Sequence, residues 1–287
     1  MNLRIHIKTV ALVILFLSVV PSALAQKTTT PRHFETAEEL HFEAEFSRSL
    51  LRKLDVADLT FRASRTPVAT AAAAESKDAS PYALTFTADV ASKGFFARLF
   101  NLKFRERVES TVEPVSFTVQ KTTILDEQGK RVRATEATFD RSKGKMTWTL
   151  RDPNNPSAEP RHAITDFSGQ LQDVLSAIYF IRTQPLQVGK SFEIYIGDGG
   201  KVYKIPVTVV EKKRMKTVLG RVDVLRVNPE LFGPERLIDA EKGEFSLWVT
   251  ADARHIPIGG RIKTDYGTFD IKLKRVINDA PPSIPAP

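Results

Sequence analysis

Apolar and polar residues alternate along the stretch Lys201-Val-Tyr-Lys-Ile-Pro-Val-Thr-Val-Val210, so that Tyr203, Ile205, Val207 and Val209 share one face. The same period of two recurs in Phe245–Val249 and in Thr268–Lys274. Alternation with this period predicts antiparallel β-strands that have one buried face and one solvated face. Between such stretches stand short segments rich in Gly and Asp, which favour tight turns: Asp126–Gly129, Asp140–Gly144, Gly197–Gly200 and Asp265–Gly267.

About a dozen strands of this kind fit into the chain, too many for a flat open sheet. We therefore predict a mainly β protein, with a curved antiparallel sheet or open barrel wrapped round one buried helix. The pattern predicts that helix over Gly169–Thr183, with Ser168 as the N-cap and Pro185 as the stop. Its apolar residues cover most of its circumference, which favours burial. We expect Ile178 to lie buried at the centre, touching N-terminal and C-terminal strands.

The N-terminal segment has the three parts of a secretory signal peptide. Arg4 and Lys8 precede the apolar run Val10–Val20, and the small-residue end Ala23-Leu-Ala25 follows. The run is shorter than the 18–20 or so apolar residues that a membrane anchor needs. We therefore expect cleavage near Ala25–Gln26 and a soluble, exported product, periplasmic in a bacterium with two membranes.

The rest of the chain is predicted to form a single folded domain. Residues 1–25 are the signal peptide, and residues 26–37 are a polar leader expected to be disordered. Residues 38–277 form one mainly β domain, and residues 278–287 form a Pro-rich tail. A split near residue 160 into two half-domains is the alternative, which the helix disfavours because it needs cover from both sides.

The composition excludes several kinds of chemistry. The 287 residues include no cysteine, which excludes disulfides, thiolate metal sites and a Cys nucleophile. The five His show no H-x-x-x-H arrangement of the kind that zinc hydrolases use. We therefore expect no metal, no cofactor and no catalytic residue, and an enzyme is not the expected class.

The charge is basic but does not indicate a nucleic-acid partner. The net charge of +8 falls to +6 when Arg4 and Lys8 leave with the signal peptide. The basic clusters Lys212–Lys216 and Lys272–Arg275 lack the interleaved aromatic residues of single-strand-binding proteins. The expected partners are instead a hydrophobic or amphipathic small molecule, and an anionic membrane surface or an envelope protein.

The predicted helix carries three candidate ligand or signature residues, Asp173, Tyr179 and Arg182. Asp173 and Arg182 leave opposite faces, about 13–14 Å apart along the axis, and so cannot pair with each other. Asp173 can meet Ser176, which favours a structural role. A role as a buried acid or ligand anchor would need a second titratable partner.

The remaining candidates lie on a strand, a turn and an unusual apolar segment. Trp248 takes the face opposite to Leu247 and either lines a cavity or packs under a loop. Asp252 is expected in a hairpin connection, where an Asp commonly organises its own turn. The apolar segment contains Phe95, Phe96 and Phe100, and positively charged residues surround it. It forms either a patch that touches lipid or a segment that closes the barrel mouth.

Two sets of motifs resemble the signatures of an uncharacterised exported bacterial family, the domain of unknown function 3108. The central set is Asp173–Arg182 followed by Pro185-Leu186 and Gly189, and the C-terminal set is Trp248–Asp252, Arg254–Pro257 and the strand after Gly267. The resemblance spans residues 38–277 and implies an exported, mostly β domain of unassigned activity. The architecture is also similar to the lipoprotein-carrier half-barrels, where a curved sheet cups a helix and an apolar cavity, although fold does not fix function.

These observations favour a non-catalytic exported protein that binds or handles an apolar or amphipathic envelope ligand. The alternative is a scaffold or adaptor in an envelope complex. A hydrolase that uses scattered carboxylates such as Asp173 and Asp252 is a distant third.

Overall fold

The computed structural model describes residues 37–67, 80, 82–93 and 103–278. These residues form fourteen strands and one α-helix, α1 (Val174–Arg182), which follows the eighth strand. The strands are β1 (Glu38–Arg48), β2 (Leu51–Pro67), β3 (Tyr82–Ser92), β4 (Phe104–Glu113), β5 (Thr118–Gln128), β6 (Arg131–Asp140), β7 (Lys145–Arg151), β8 (Arg161–Asp166), β9 (Ser191–Asp198), β10 (Lys201–Thr217), β11 (Gly220–Pro229), β12 (Glu244–Thr250), β13 (Pro257–Thr264) and β14 (Gly267–Asn278).

All fourteen strands belong to one antiparallel sheet, in the order β8-β7-β6-β5-β4-β3-β2-β1-β14-β13-β12-β11-β10-β9. Two consecutive meanders, β1 to β8 and β9 to β14, join where β1 pairs with β14. The two ends of the sheet come close to each other, since the Thr165 hydroxyl of β8 donates to the Gly200 carbonyl oxygen at 2.6 Å. A Cβ on Gly200 would lie only 2.6 Å from the Ala163 methyl, so this approach requires glycine.

The prediction of a mainly β chain with a curved sheet round a helix is confirmed. The expected turns connect β5 to β6, β6 to β7, β9 to β10 and β13 to β14. In the described part of the chain, no helix is long and apolar enough to cross a membrane.

The helix begins later than the sequence pattern predicted. Asp173, and not Ser168, is the N-cap, and α1 starts at Val174 instead of Gly169. The Asp173 carboxylate accepts from the Ser176 amide at 2.7 Å, and the Ser176 hydroxyl accepts from the Asp173 amide at 3.0 Å. This capping box fixes the start of the helix. The preceding residues are extended instead, because Gln172 bridges to Ile196 of β9.

Helix α1 lies between two apolar clusters of the sheet. Leu175 and Tyr179 pack into the cluster formed by β2 to β7, whereas Ala177 and Ile181 pack into the cluster formed by β9 to β12. The expectation that Ile178 is fully buried is wrong, since its side chain is half-buried. The neighbouring Ser176 and Ala177 are buried, whereas Ile178 faces a partly open cavity.

Candidate functional site

An apolar cavity of about 70 Å³ lies between α1 and the inner face of the sheet. Its lining is entirely hydrocarbon apart from one phenol. The residues come from β1, β2, α1 and β12 to β14: Leu40, Phe42, Leu59, Phe61, Ile178, Tyr179, Phe245, Leu247, Pro257, Gly259, Gly260 and Ile271. Ile178 is therefore in the place expected between N-terminal and C-terminal strands. A cavity with such walls excludes water and favours apolar ligands.

Two glycines on β13 shape one wall of the cavity. A Cβ on Gly259 would lie 2.5 Å from the Ile271 carbonyl oxygen, so only glycine permits this approach of β13 to β14. A Cβ on Gly260 would instead meet Phe245 Cε2 at 3.5 Å, an ordinary contact. Gly260 therefore leaves open space at the wall, whereas Gly259 is required by the backbone.

Tyr179 forms the helix side of the cavity together with Ile178. Its ring stacks on Phe86 with centroids 3.9 Å apart and planes 7° apart. Burial raises the pKa of the Tyr179 phenol above its ordinary value, and the nearby Arg182 only partly offsets this. The ring is thus held in place as a rigid apolar wall.

Arg182 closes the C-terminal end of α1 with a buried ion pair. Its guanidinium donates to both carboxylate oxygens of Glu38 in β1, at 2.6 and 2.9 Å, and neither side chain is more than 4% exposed. The Nε atom donates to the Arg254 carbonyl oxygen at 3.3 Å, and His255 Nδ1 donates to the Arg182 carbonyl oxygen at 2.9 Å. The pair therefore ties the helix to β1 and to the β12–β13 connection.

Asp173 is buried at the other end of α1 and is used structurally. Besides capping the helix, its carboxylate accepts a hydrogen bond from the Thr122 hydroxyl of β5. Its side chain does not line the cavity. The pairing with Ser176 that the sequence suggested is present.

Asp252 organises the connection between β12 and β13. Its carboxylate accepts from Thr250 Oγ1 at 2.6 Å and from Arg254 Nη2 at 2.6 Å. Burial alone would raise the pKa of Asp252, but the hydrogen bonds from Thr250 and Arg254 outweigh it and lower the pKa below its ordinary value. The carboxylate is held ionised in its own turn, where it lacks the properties of a general acid.

Trp248 lies on the outer face of the sheet and does not line the cavity. Lys213 Nζ stands 5.5 Å above its ring and Arg261 Cζ stands 5.9 Å from it, both within cation–π range. Met215 and Val222, from β10 and β11, belong to the same apolar cluster. Of the two roles weighed for Trp248, packing under another part of the chain is the one observed.

Two further carboxylates have raised pKa values. Burial raises the pKa of Glu106, with Asp126 and Asp198 adding to the effect. Burial also raises the pKa of Asp198, and Asp173 adds to it, although a hydrogen bond from the Gly199 amide acts in the opposite direction. No group of three or more acidic or His side chains among the described residues has the arrangement of a metal site.

The structure therefore brings only some of the candidate residues together. Tyr179 lines the cavity, and Arg182 stands above its ring at 5.4 Å from the ring centroid. Asp173, Trp248 and Asp252 lie elsewhere. The candidates Phe95, Phe96 and Phe100 lie outside the described residues.

Glu38, the partner of Arg182, was missed from the sequence, although a signal was present. In β1 the apolar residues at every second position are Leu40, Phe42 and Ala44, and Glu38 falls on the same face. A carboxylate on the apolar face of a strand needs a buried cation, and α1 offers Arg182.

Comparisons with known proteins agree with this architecture. The model of the family described as "Protein of unknown function (DUF3108)" matches residues 58–274. The chain therefore belongs to this family. Among solved structures, the chain is similar to a β-barrel-like protein of the domain of unknown function DUF1849 from Brucella abortus, with a TM-score of 0.51 and 9% identity over 85% of this chain and 99% of that one. At that identity the likeness concerns the fold alone. No curated protein matches the chain.

Proposed function

We propose that this member of the DUF3108 family is a non-catalytic protein that binds an apolar or amphipathic envelope ligand in the cavity beside α1. The observation that carries the proposal is the cavity itself, which lies at the centre of the curved sheet and is lined by hydrocarbon. Burying apolar ligand surface there contributes about 25 cal/mol per Å².

The size of the cavity limits how the ligand binds. Its volume of about 70 Å³ is less than half that of an engineered cavity of about 150 Å³ that takes up benzene. The cavity therefore holds the end of an acyl chain, and a longer portion requires side chains of the wall to move. Ile178 is suited to move because it is half-buried, whereas Tyr179 is held by stacking on Phe86.

The polar candidate residues have structural roles, which supports a binding function rather than a catalytic one. Asp173 caps a helix, Asp252 holds a turn, and Arg182 is paired with Glu38. Each carboxylate or cation thus has a structural partner at hydrogen-bond distance, and none of these groups faces the cavity as an acid or base.

The proposed function includes export, on the strength of the signal-peptide pattern in residues 1–25. The intact mass of protein from the envelope fraction of its own organism tests this directly. We expect a chain that starts at Gln26, and a mass that retains residues 1–25 would contradict export by this route.

The binding proposal is tested by native mass spectrometry of protein purified from its own envelope, together with titration of a fluorescent fatty acid. We expect a hydrophobic molecule to co-purify and the fluorescent probe to bind. The variant Ile178→Phe places a larger side chain at the cavity. It should weaken probe binding at least tenfold, because the larger side chain fills the space that the end of the acyl chain occupies.

The matched control is Val174→Phe, one turn earlier on the same helix, where the native side chain is 45% exposed. This variant should bind the probe like the wild type. Failure of any apolar molecule to co-purify, together with no probe binding by the folded wild type, would refute the function. Equal weakening by both variants would show that the cavity is not the site.

A further inference from the structure

The β10–β11 hairpin projects beyond the strands beside it. β10 pairs with β9 only from Lys201 to Thr208, and β11 pairs with β12 only from Val224 to Val227. Residues 212–223, here called the basic hairpin, therefore pair only within the β10–β11 ladder, apart from the Asp223 carbonyl oxygen, which accepts from the Ala251 amide at 2.8 Å. A two-stranded ribbon of this kind presents both faces and its tip outside the sheet.

One face of the basic hairpin is strongly positive. Lys212, Arg214 and Lys216 share this face because side chains alternate along a strand, and Arg221 lies opposite Lys216. Lys212 has Asp223 as a partner at 3.3 Å. The other three cations form no ion pair with any residue that the structure describes, and all are exposed. Their charge is thus free to meet an external anion.

A groove of about 390 Å³ runs beside this positive face. Lys212, Arg214 and Arg221 line one side of the groove, and the β12–β13 connection lines the other. Asp252 is the acidic residue of that connection that reaches the groove, and Arg254 neutralises it at 2.6 Å. The groove therefore keeps a net positive lining that suits an anionic headgroup.

The tip of the basic hairpin is aliphatic. Val218 is 50% exposed at the turn between the two strands, and Leu219 beside it is half-buried. An exposed aliphatic residue flanked by unpaired cations is the composition of segments that lie at a bilayer surface, where the apolar part enters the interface and the cations meet headgroups.

The opposite face of the hairpin holds it in a fixed orientation. Lys213 on that face stands over Trp248, and Met215 and Val222 join the apolar cluster that includes the same Trp248. The positive face is the one that does not pack on this cluster, and the packing holds the hairpin in place, so docking would require little reordering of the backbone.

We propose that the basic hairpin docks the protein on the surface of a bilayer that contains anionic lipids. Arg214, Lys216 and Arg221 contact the headgroups, and Val218 enters the interfacial region. Nucleic acid fits less well, because the positive face of residues 212–223 carries no aromatic side chain for base stacking and its tip is apolar. An acidic protein surface would not require the aliphatic tip.

Co-sedimentation of the full chain with vesicles tests the proposal. The vesicles contain either phosphatidylcholine alone or phosphatidylcholine with about one-third phosphatidylglycerol, at low and at physiological salt. We expect binding to the anionic vesicles that weakens as salt rises. Each cation contributes roughly fivefold, so the double variant Arg214→Gln/Lys216→Gln should bind about 25-fold more weakly. Val218→Asp should also lose binding.

Matched controls come from other turns of the sheet. Arg141→Gln/Lys143→Gln removes two cations at the β6–β7 turn, and Val115→Asp changes a valine that is 75% exposed at the β4–β5 turn. All of these variants should bind like the wild type. Equal binding to the two vesicle types, or unchanged binding by the Arg214→Gln/Lys216→Gln variant, would overturn the proposal.

The docking proposal is independent of the cavity proposal. Ile178→Phe should bind vesicles like the wild type while it loses the fatty acid, because Ile178 lines the cavity and no residue of the basic hairpin does. The reverse result, in which Ile178→Phe abolishes vesicle binding and the hairpin variants do not, would assign membrane binding to the cavity and refute docking by the hairpin.

Discussion

Removal of one partner of the buried Glu38–Arg182 pair should destabilise the domain severely. The variants are Glu38→Leu and Arg182→Met, each made alone and then combined. Arg182 is 0% exposed and Glu38 is 4% exposed. Either single variant therefore leaves a buried charge without its partner.

The expected magnitude follows from this burial. Breaking a buried ion pair costs about 3–5 kcal/mol, because the remaining charge is no longer compensated. Replacement of both members by apolar side chains of similar volume is close to neutral. The two single variants should each lose about 3–5 kcal/mol of the free energy of unfolding, and the double variant should recover most of that loss. Native proteins have a free energy of unfolding of about 5–15 kcal/mol, so a loss of this size leaves the single variants barely stable.

Urea titration, followed by tryptophan fluorescence, measures the four free energies of this double-mutant cycle. Thermal midpoints should fall by about 6–20 °C in the single variants, given about 2–4 °C per kcal/mol in a domain of this size. A control cycle uses the exposed pair Lys121–Glu136, whose side chains are 47% and 42% exposed. Each single change there should cost less than about 1 kcal/mol.

Two results would refute the reasoning. Single variants at Glu38 and Arg182 that stay within about 1 kcal/mol of the wild type would show that the charges are solvated. A double variant whose loss equals the sum of the single losses would show that the two residues do not interact. Either result would remove the connection by which α1 is tied to β1.

Three further predictions follow from the site. Asp173→Ala should lower the free energy of unfolding by about 1–2 kcal/mol through loss of the helix cap, and leave fatty-acid binding by the folded protein unchanged in a titration. Gly259→Ala should lower the thermal midpoint because its Cβ would lie 2.5 Å from the Ile271 carbonyl oxygen, whereas Gly260→Ala should melt within about 2 °C of the wild type. Burial raises the pKa of Asp198, so the folded state favours the protonated carboxyl group. This preference stabilises the fold below the unfolded pKa of 3.8, and the stabilisation is lost as the pH rises through the folded pKa. Asp198→Asn should therefore raise the melting temperature measured at about pH 7 more than at about pH 3.

The strands could be predicted from sequence because their pattern is local. In Lys201–Val210 the alternation alone identifies a strand with a buried face, and Ile205, Val207 and Val209 are fully buried there. Turn residues such as Gly199 and Gly200 adopt positive φ, which their identity already suggested.

The start of the helix was predicted wrongly because a tertiary contact competes with the apolar pattern. Leu171 fits the helical stripe, but the chain here is extended: its carbonyl oxygen accepts from the Val119 amide, and Gln172 bridges to Ile196. The capping box of Asp173 and Ser176 was a local signal that, given more weight, would have placed the start correctly.

The parts of the site that depend on distant residues could not be predicted from one sequence. Arg182 and Glu38 are 144 positions apart, and no local pattern selects one carboxylate among many for Arg182. The cavity likewise depends on how β1, β2 and β12 to β14 curve round α1. Alternation predicts which face of a strand is apolar, but it does not predict how completely that face is filled.

The central claim is that an apolar ligand occupies the cavity beside α1, and methyl NMR with a spin-labelled fatty acid tests it most directly. The label broadens methyl signals close to it. The claim predicts that Ile178, Leu247 and Ile271 lose intensity on binding, while Ile164 on β8, which is 69% exposed, keeps its signal. Broadening of Ile164 and other surface methyls, with Ile178, Leu247 and Ile271 unchanged, would contradict it.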